Sequence, residues 1–172
     1  AKAAFDESFH PELVLAGFQW EVSKVLKEAH PVATQLPEWL NEKSVDELWH
    51  ELYRDVTYLY LATRDAEGNG NFLVLHLLTS LWGLEQVCRL IDNGPTMMKV
   101  TRNALNQYYA SLICLLATGS SGFPSLEALE KVQTEFASLH VDLASFDWTP
   151  LVEKGIAETE EHNIKLVYVM RE

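Results

Sequence analysis

The chain has 172 residues, of which 48% are hydrophobic, and its 13 Lys and Arg against 25 Asp and Glu give a formal net charge of −12. This length and apolar content suffice for one hydrophobic core of ordinary size, so a single helical domain over 1–172 is expected. An acidic surface of this kind repels phosphate backbones and anionic lipid headgroups, which argues against nucleic acid and membranes as partners.

The cysteines and the first residues indicate the compartment. Cys88 and Cys114 lie in apolar helical patterns without metal-binding spacing, as expected for buried reduced thiols. The start AKAAFDES lacks the basic and apolar segments of a signal peptide, and no uninterrupted apolar run reaches about 18 residues. We therefore expect a cytoplasmic protein. Because residue 1 is Ala, we also expect the chain to be a processed or tag-cleaved product or a fragment.

The first half of the chain has helical hydrophobic spacing. Apolar residues three and four positions apart predict a helix over about 11–29, which ends before Pro31 because the residue preceding a proline disfavours helical geometry. Ser44 and Glu47 have the spacing of a capping box. They therefore predict the start of a second helix, over about 45–64, with one apolar face.

The rest of the chain continues this pattern. The segment NFLVLHLLTSLWGLEQVCRLI is apolar on nearly all sides until Glu85, which predicts a helix over about 71–92 at the centre of a bundle. Three further helices are predicted over about 96–117, 125–140 and 149–171. Gly155 weakens the last of them by about 1 kcal/mol relative to alanine. No alternating strand pattern competes, so the sequence predicts an all-α bundle of about six helices with a central apolar helix.

Histidine is the residue type in this chain that is most able to bind a metal or a substrate. The chain has no glycine-rich phosphate loop, no dinucleotide fingerprint and no nucleophile elbow. His76 interrupts the apolar run FLVLHLLTS, and burying an imidazole without a partner costs on the order of 1–3 kcal/mol. We therefore expect His76 to be nearly buried. It is either hydrogen-bonded to a carbonyl or to Thr79, or it ligates a metal inside the bundle.

His162 and Lys165 form a second candidate group, three residues apart on one helix face in the run EHNIK. A lysine ammonium has no lone pair for a metal. Addition of CO₂ to the amine creates a carboxylate-like ligand where an apolar site disfavours the ammonium form, so this role requires burial of Lys165. The alternative is a solvated helix edge. His10, before Pro11, is either part of a helix start or a further ligand, and His30, His50 and His140 are interpreted as structural or surface residues.

Four segments together resemble the C-terminal portion of the questin oxidase family. In chain order they are FHPELVLAGFQWE, NFLVLHLLTSLWGLEQV, NQYYASLICLLATG and FDWTPLVEKGIAETEEHNIKLVYVM. The strongest likeness is the EHNIK run followed by an apolar helix end. The resemblance implies an α-helical oxygenase of secondary metabolism that uses O₂ to cleave the ring of an anthraquinone-like aromatic polyketide.

The resemblance also implies a non-haem iron held by several histidines and a carboxylated lysine. Carried over by motif, the ligands are His76, His162 and Lys165, whose side-chain heads should converge, with His10 as a fourth. Leu15 stands where the family usually has a histidine. O₂ is the implied co-substrate, and NADPH is a candidate cofactor. Four aromatic residues are candidates for lining the pocket of a flat substrate, with core packing as the alternative role: Phe72, Trp82, Tyr108 and Tyr109.

Family chains are longer than this one, so the resemblance implies further polypeptide in the functional unit. We expect an N-terminal segment or a second chain to pack against the apolar faces of the helices over 11–29 and 71–92, which are otherwise exposed. Two other hypotheses stay open. A metal-free helical module for binding or interaction explains the acidity and the aromatic content equally well. A flavin- or nicotinamide-dependent monooxygenase has no motif in this chain.

Overall fold

A computed structural model describes residues 18–28, 39–66, 68–91, 94–117, 123–137, 145–157 and 161–171. Within these ranges all regular structure is helical and no strand is present, which confirms the predicted all-α fold class. None of the helices described there is both long and apolar enough to cross a membrane.

The described part of the chain contains eight helices rather than about six. In chain order they are α1 (Phe18–Lys27), α2 (Trp39–Glu42), α3 (Val45–Ala62), α4 (Phe72–Arg89), α5 (Pro95–Ala117), α6 (Leu126–Ala137), α7 (Thr149–Ala157) and α8 (Glu161–Arg171). The short α2 lies between the helices predicted over about 11–29 and 45–64, where no helix was predicted. The helix predicted over 149–171 is instead two helices, α7 and α8, which pack against each other.

Gly155 lies where α7 and α8 pack against each other. Gly155 is buried, and a Cβ placed on it would lie 3.4 Å from Cγ2 of Val167 on α8. The position predicted as a weak point within one long helix is therefore the contact surface between two shorter ones.

The helices form two compact units, each with its own buried residues. The first consists of the described parts of Ala1–Glu51 and Asp92–Phe123, and the second of those of Leu52–Ile91 and Pro124–Glu172. Leucines of α2, α3 and α5 and the thiol of Cys114 are buried in the first unit. In the second unit, α3, α4 and α6 contribute the core residues Leu52, Val56, Leu59, Tyr60, Val74, Leu75, Leu78, Leu81 and Val132. The single domain expected from chain length stays a prediction.

Side-chain caps fix the starts of two helices in the way their sequences suggest. The backbone N–H of Glu47 donates to Ser44 Oγ (3.2 Å) and that of Ser44 donates to Glu47 Oε2 (2.7 Å), which confirms the predicted capping box at α3. Asn71 Oδ1 accepts from the N–H groups of Leu73 (2.9 Å) and Val74 (3.2 Å) at the start of α4. These caps set the register of the two helices that carry most of the second unit's core.

Within the first unit, α1 packs against α5. Arg102 of α5 also holds the end of the short α2. Its Nη1 donates to the carbonyl oxygen of Leu40 (2.9 Å) and its Nη2 to that of Lys43 (2.5 Å). Both carbonyls belong to a helix end, where backbone acceptors lack partners within the helix.

Candidate functional site

The two helices that carry the candidate ligands lie side by side in the second unit. α4, which contains His76, packs against α8, which contains His162 and Lys165. The ring of Trp82 on α4 meets that of Tyr168 on α8 edge to face, with centroids 5.5 Å apart and planes at 80°. The segments NFLVLHLLTSLWGLEQV and EHNIKLVYVM are therefore neighbours in space.

His76 is exposed, so the expectation that it is nearly buried is wrong. Val74, Leu75, Leu78 and Leu81 form the buried face of α4. At 3.6 residues per turn, position 76 lies on nearly the opposite side of the helix from the centre of this face. The apolar neighbours in the sequence concealed this because α4 carries apolar residues on its exposed side as well.

The imidazole of His76 has a defined tautomer when neutral. Its Nδ1 lies 2.7 Å from the carbonyl oxygen of Phe72, and its ring lies 4.3 Å from that of Phe72 between centroids. A carbonyl only accepts hydrogen bonds, so Nδ1 carries the proton and Nε2 carries the lone pair. This is the arrangement found in metal-binding histidines, whose second ring nitrogen is held by a carbonyl or carboxylate.

Lys165 is exposed on α8, so the part of the chain that the structure describes does not supply the burial that carboxylation of its amine requires. His10, Leu15, His140 and the side chain of His162 lie outside the described residues. Convergence of His76, His162 and Lys165 on one point therefore stays a prediction, although the packing of α4 against α8 brings the helices concerned together.

The described side chains do not by themselves make an iron site. Among them, no three His, Cys, Asp or Glu residues are placed to hold a metal ion together. The geometry of the described helices thus supports no reaction step at iron.

A family model described as questin oxidase-like matches residues 2–170, nearly the whole chain. The chain belongs to the questin oxidase-like family. No curated protein and no solved structure matches it significantly. Membership in this family suggests an oxygenase-type role and the oxidoreductase class.

The aromatic candidates of this questin oxidase-like chain occupy different environments. Phe72 is 56% exposed and stacks on His76, whereas Trp82 is half-buried against Tyr168. The indole Nε1 of Trp82 is buried and has no hydrogen-bond partner among the described residues. The other two candidates are half-buried on α5 in the first unit: Tyr108 and Tyr109.

Sequence reasoning missed a polar cluster one turn beyond Trp82. Tyr53 Oη donates to Glu85 Oε2 (2.6 Å), and Arg89 Nη2 donates to Glu85 Oε1 (2.7 Å). The Glu85 side chain is only 18% exposed, although it is charged. The available signal was that Glu85 is the first charge in the long apolar segment of α4, where a carboxylate needs partners.

Proposed function

We propose that this chain is an oxygenase that uses O₂ to cleave the ring of an anthraquinone-like aromatic polyketide. The observation that carries the proposal is the match of the questin oxidase-like family model over residues 2–170. The substrate class and the ring cleavage follow from the resemblance of the α4 and α8 segments to questin oxidases. The aromatic side chains on α4, Phe72 and Trp82, offer ring surfaces for a flat substrate.

We further propose a non-haem iron held by His76, His162, Lys165 and His10. His76 supports this because its Nδ1 is held by the Phe72 carbonyl, which leaves the lone pair on Nε2. When bound, an iron with imidazole and oxygen ligands supplies a coordination position for O₂. This chain's part is to place the histidine of α4 beside the EHNIK run of α8.

Both described ligand candidates are exposed, so the proposal includes further polypeptide that covers them. α4 also exposes the apolar side chains of Phe72 (56%) and Val87 (56%), and Leu90 (87%) is exposed directly after it. A segment that covers both this surface and Lys165 on α8 would remove the lysine from water, which is the condition under which its amine is available to CO₂. The expected exposed apolar surface on α4 supports this part of the proposal.

Metal analysis of protein purified without chelators tests the iron proposal. We expect near-stoichiometric iron in the parent chain, and a loss of roughly tenfold or more in iron affinity for His162→Ala and His76→Ala. His50→Ala, which removes an exposed imidazole from α3, is the matched control and should retain the metal. Iron content that is equal in all three variants would contradict the ligand assignment.

The second candidate function is a metal-free helical module for binding or interaction, and the exposure of Lys165 favours it. The same samples distinguish the two functions. Protein without iron that forms a stable complex through the exposed face of α4 favours the module. Protein whose iron is lost specifically in His162→Ala favours the oxygenase.

A further inference from the structure

A cavity of about 420 Å³ opens between the turn after α3 and the helix α6 in the second unit. Ligand pockets in proteins range from about 300 to 1,000 Å³. The turn is held by backbone bonds from Asp65 N–H to the Asn69 carbonyl (2.9 Å) and from Gly68 N–H to the Asp65 carbonyl (3.1 Å). Gly68 has a φ of 91°, a conformation that glycine adopts without strain. This hydrogen-bonded turn therefore forms one wall of the cavity.

Two cations at the cavity are not hydrogen-bonded to the carboxylate nearest to them. Glu135 Oε2 lies 3.9 Å from Arg64 Nη2, and Glu135 Oε1 lies 4.0 Å from Lys131 Nζ. Both distances exceed those of charge-assisted hydrogen bonds, which are about 2.7–2.9 Å. Arg64 Nε already donates to the Leu61 carbonyl (2.9 Å), which orients the guanidinium. The terminal nitrogens of Arg64 and the ammonium of Lys131 can thus donate hydrogen bonds to a ligand that lies closer to them than Glu135 does.

The other acid among the described residues that line the cavity is Asp65, which is hydrogen-bonded within the turn. Asp65 Oδ1 accepts from the backbone N–H of Asn69 (2.8 Å), and its Oδ2 accepts from Asn69 Nδ2 (3.4 Å). The remaining lining is mainly apolar and is supplied by Leu61, Ala62, Ala66, Ala128 and Val132. The cavity thus combines cationic donors with an apolar wall.

We propose that this cavity binds a small organic anion, a carboxylate or phosphate carried on an apolar group. The anionic group would accept hydrogen bonds from Arg64 and Lys131, and the apolar group would lie against Val132 and the alanines. A ligand carboxylate competes with Glu135 for the same two cations. Removing the Glu135 charge therefore strengthens binding, which is the opposite of what the loss of a merely structural ion pair would do.

Titration of the full chain with benzoate, followed by calorimetry, tests the proposal, and the uncharged isostere benzamide is the control ligand. We expect saturable benzoate binding that weakens about tenfold in Arg64→Gln and in Lys131→Gln and tightens in Glu135→Gln. Lys154→Gln, an exposed lysine on α7, should leave the affinity unchanged. Ala128→Leu should weaken benzoate more than inorganic phosphate, because it fills the apolar part of the cavity.

Three results would overturn the proposal: equal binding of benzamide and benzoate, no saturation up to about 10 mM benzoate, or equal weakening by Lys154→Gln. Circular dichroism of each variant establishes that it is folded, as expected for the charge substitutions, whose side chains are exposed, and as required of Ala128→Leu, whose position is half-buried. The proposal is independent of the iron proposal, because these variants leave His76, His162 and Lys165 unchanged.

Discussion

At the scale of single residues, two glycines differ in the room that surrounds them. A Cβ added at Gly70 would overlap the ring of the buried Tyr60, whereas one added at Gly155 would make ordinary contacts of 3.4–3.6 Å with Val167. Gly70 lies in the turn before α4, and Gly155 lies inside α7. At Gly70 the packing leaves no room for a side chain. At Gly155 there is room, and the glycine only lowers the stability of the helix through its greater backbone entropy in the unfolded chain.

The first prediction is therefore that the same substitution has opposite effects at these positions. Gly70→Ala should destabilise the fold by about 1–3 kcal/mol, because the Tyr60 ring must move within the core. Gly155→Ala should be neutral or stabilise the fold by up to about 1 kcal/mol, because alanine favours helix. Urea unfolding followed by circular dichroism measures both values. Equal destabilisation by the two variants would show that Val167 leaves no room at α7.

The stabilisation that Glu47 gives to the start of α3 depends on pH. The backbone N–H and then the hydroxyl of Ser44 donate to its carboxylate and hold its pKa below the ordinary value of 4.5. Because the folded pKa is lowered, the carboxylate stabilises the folded state above its unfolded pKa. This stabilisation disappears as the pH falls through the folded pKa.

The second prediction follows from the lowered pKa of Glu47. The parent chain should be more stable than Glu47→Gln at pH 7, and the difference should shrink as the pH falls below about 4. The urea midpoints of the two proteins at pH 7 and pH 3 measure this. Glu153→Gln, which removes an exposed carboxylate from α7, is the control. A gap between Glu47→Gln and the parent that is the same at both pH values would contradict the role of the ionised carboxylate.

At the scale of helices, the Tyr53–Glu85 bond joins α3 to α4. The Glu85 carboxylate also accepts from Arg89 on its own helix, so it has a partner for each oxygen. A bond of 2.6 Å between a phenol and a partly buried carboxylate is of the strong, charge-assisted kind. It fixes how the helix carrying His76 and Trp82 is held against its neighbour.

The third prediction concerns this bond. Tyr53→Phe should destabilise the protein by about 1–2 kcal/mol, because Glu85 loses a donor while it remains mostly screened from water. Tyr58→Phe, on the same helix, keeps its ring contact with Phe136 and should have little effect. Thermal unfolding of the two variants provides the comparison. Equal melting temperatures for Tyr53→Phe and Tyr58→Phe would mean that the bond to Glu85 does not stabilise the fold.

Helix positions could be predicted from the sequence wherever a local signal is strong. The capping box at Ser44 marked the start of α3, and the helices predicted over about 71–92, 96–117 and 125–140 have ends within about three residues of those observed. The helix predicted over about 11–29 is described only from Phe18 onward, and residues 11–17 lie outside the described residues. The division between α7 and α8 could not be predicted in this way. Both segments have helical periodicity, and α7 packs against α8 through tertiary contacts that periodicity does not reveal.

The fourth prediction, also at the scale of helices, concerns the cap of α4. Asn71→Ala should cost about 1 kcal/mol of stability, because the N–H groups of Leu73 and Val74 lose their acceptor. Asn71→Asp preserves an acceptor and should recover most of the loss. Urea unfolding of both variants measures the effect. If Asp fails to recover stability lost in the alanine variant, the side-chain oxygen is not the cap.

At the scale of the whole molecule, the sequence predicted the fold class and the family, and it predicted the candidate site less well. The four segments that resemble the family are spread along most of the chain, and the match over residues 2–170 confirms the family. Exposure of His76 could not be predicted, because α4 is apolar on both its buried and its exposed sides. A hydrophobic helix face indicates that it packs against other protein, but the sequence does not distinguish the core of this chain from another polypeptide.

Oxygen uptake is the measurement that tests the proposed function most directly. The protein is purified without chelators, its iron content is determined, and an anthraquinone substrate is added with and without NADPH. We expect O₂ consumption that accompanies loss of the quinone's visible absorbance, with His162→Ala inactive and His50→Ala active. Iron-loaded protein that consumes no O₂ with such a substrate, or that loses no activity in His162→Ala, would contradict the proposed function.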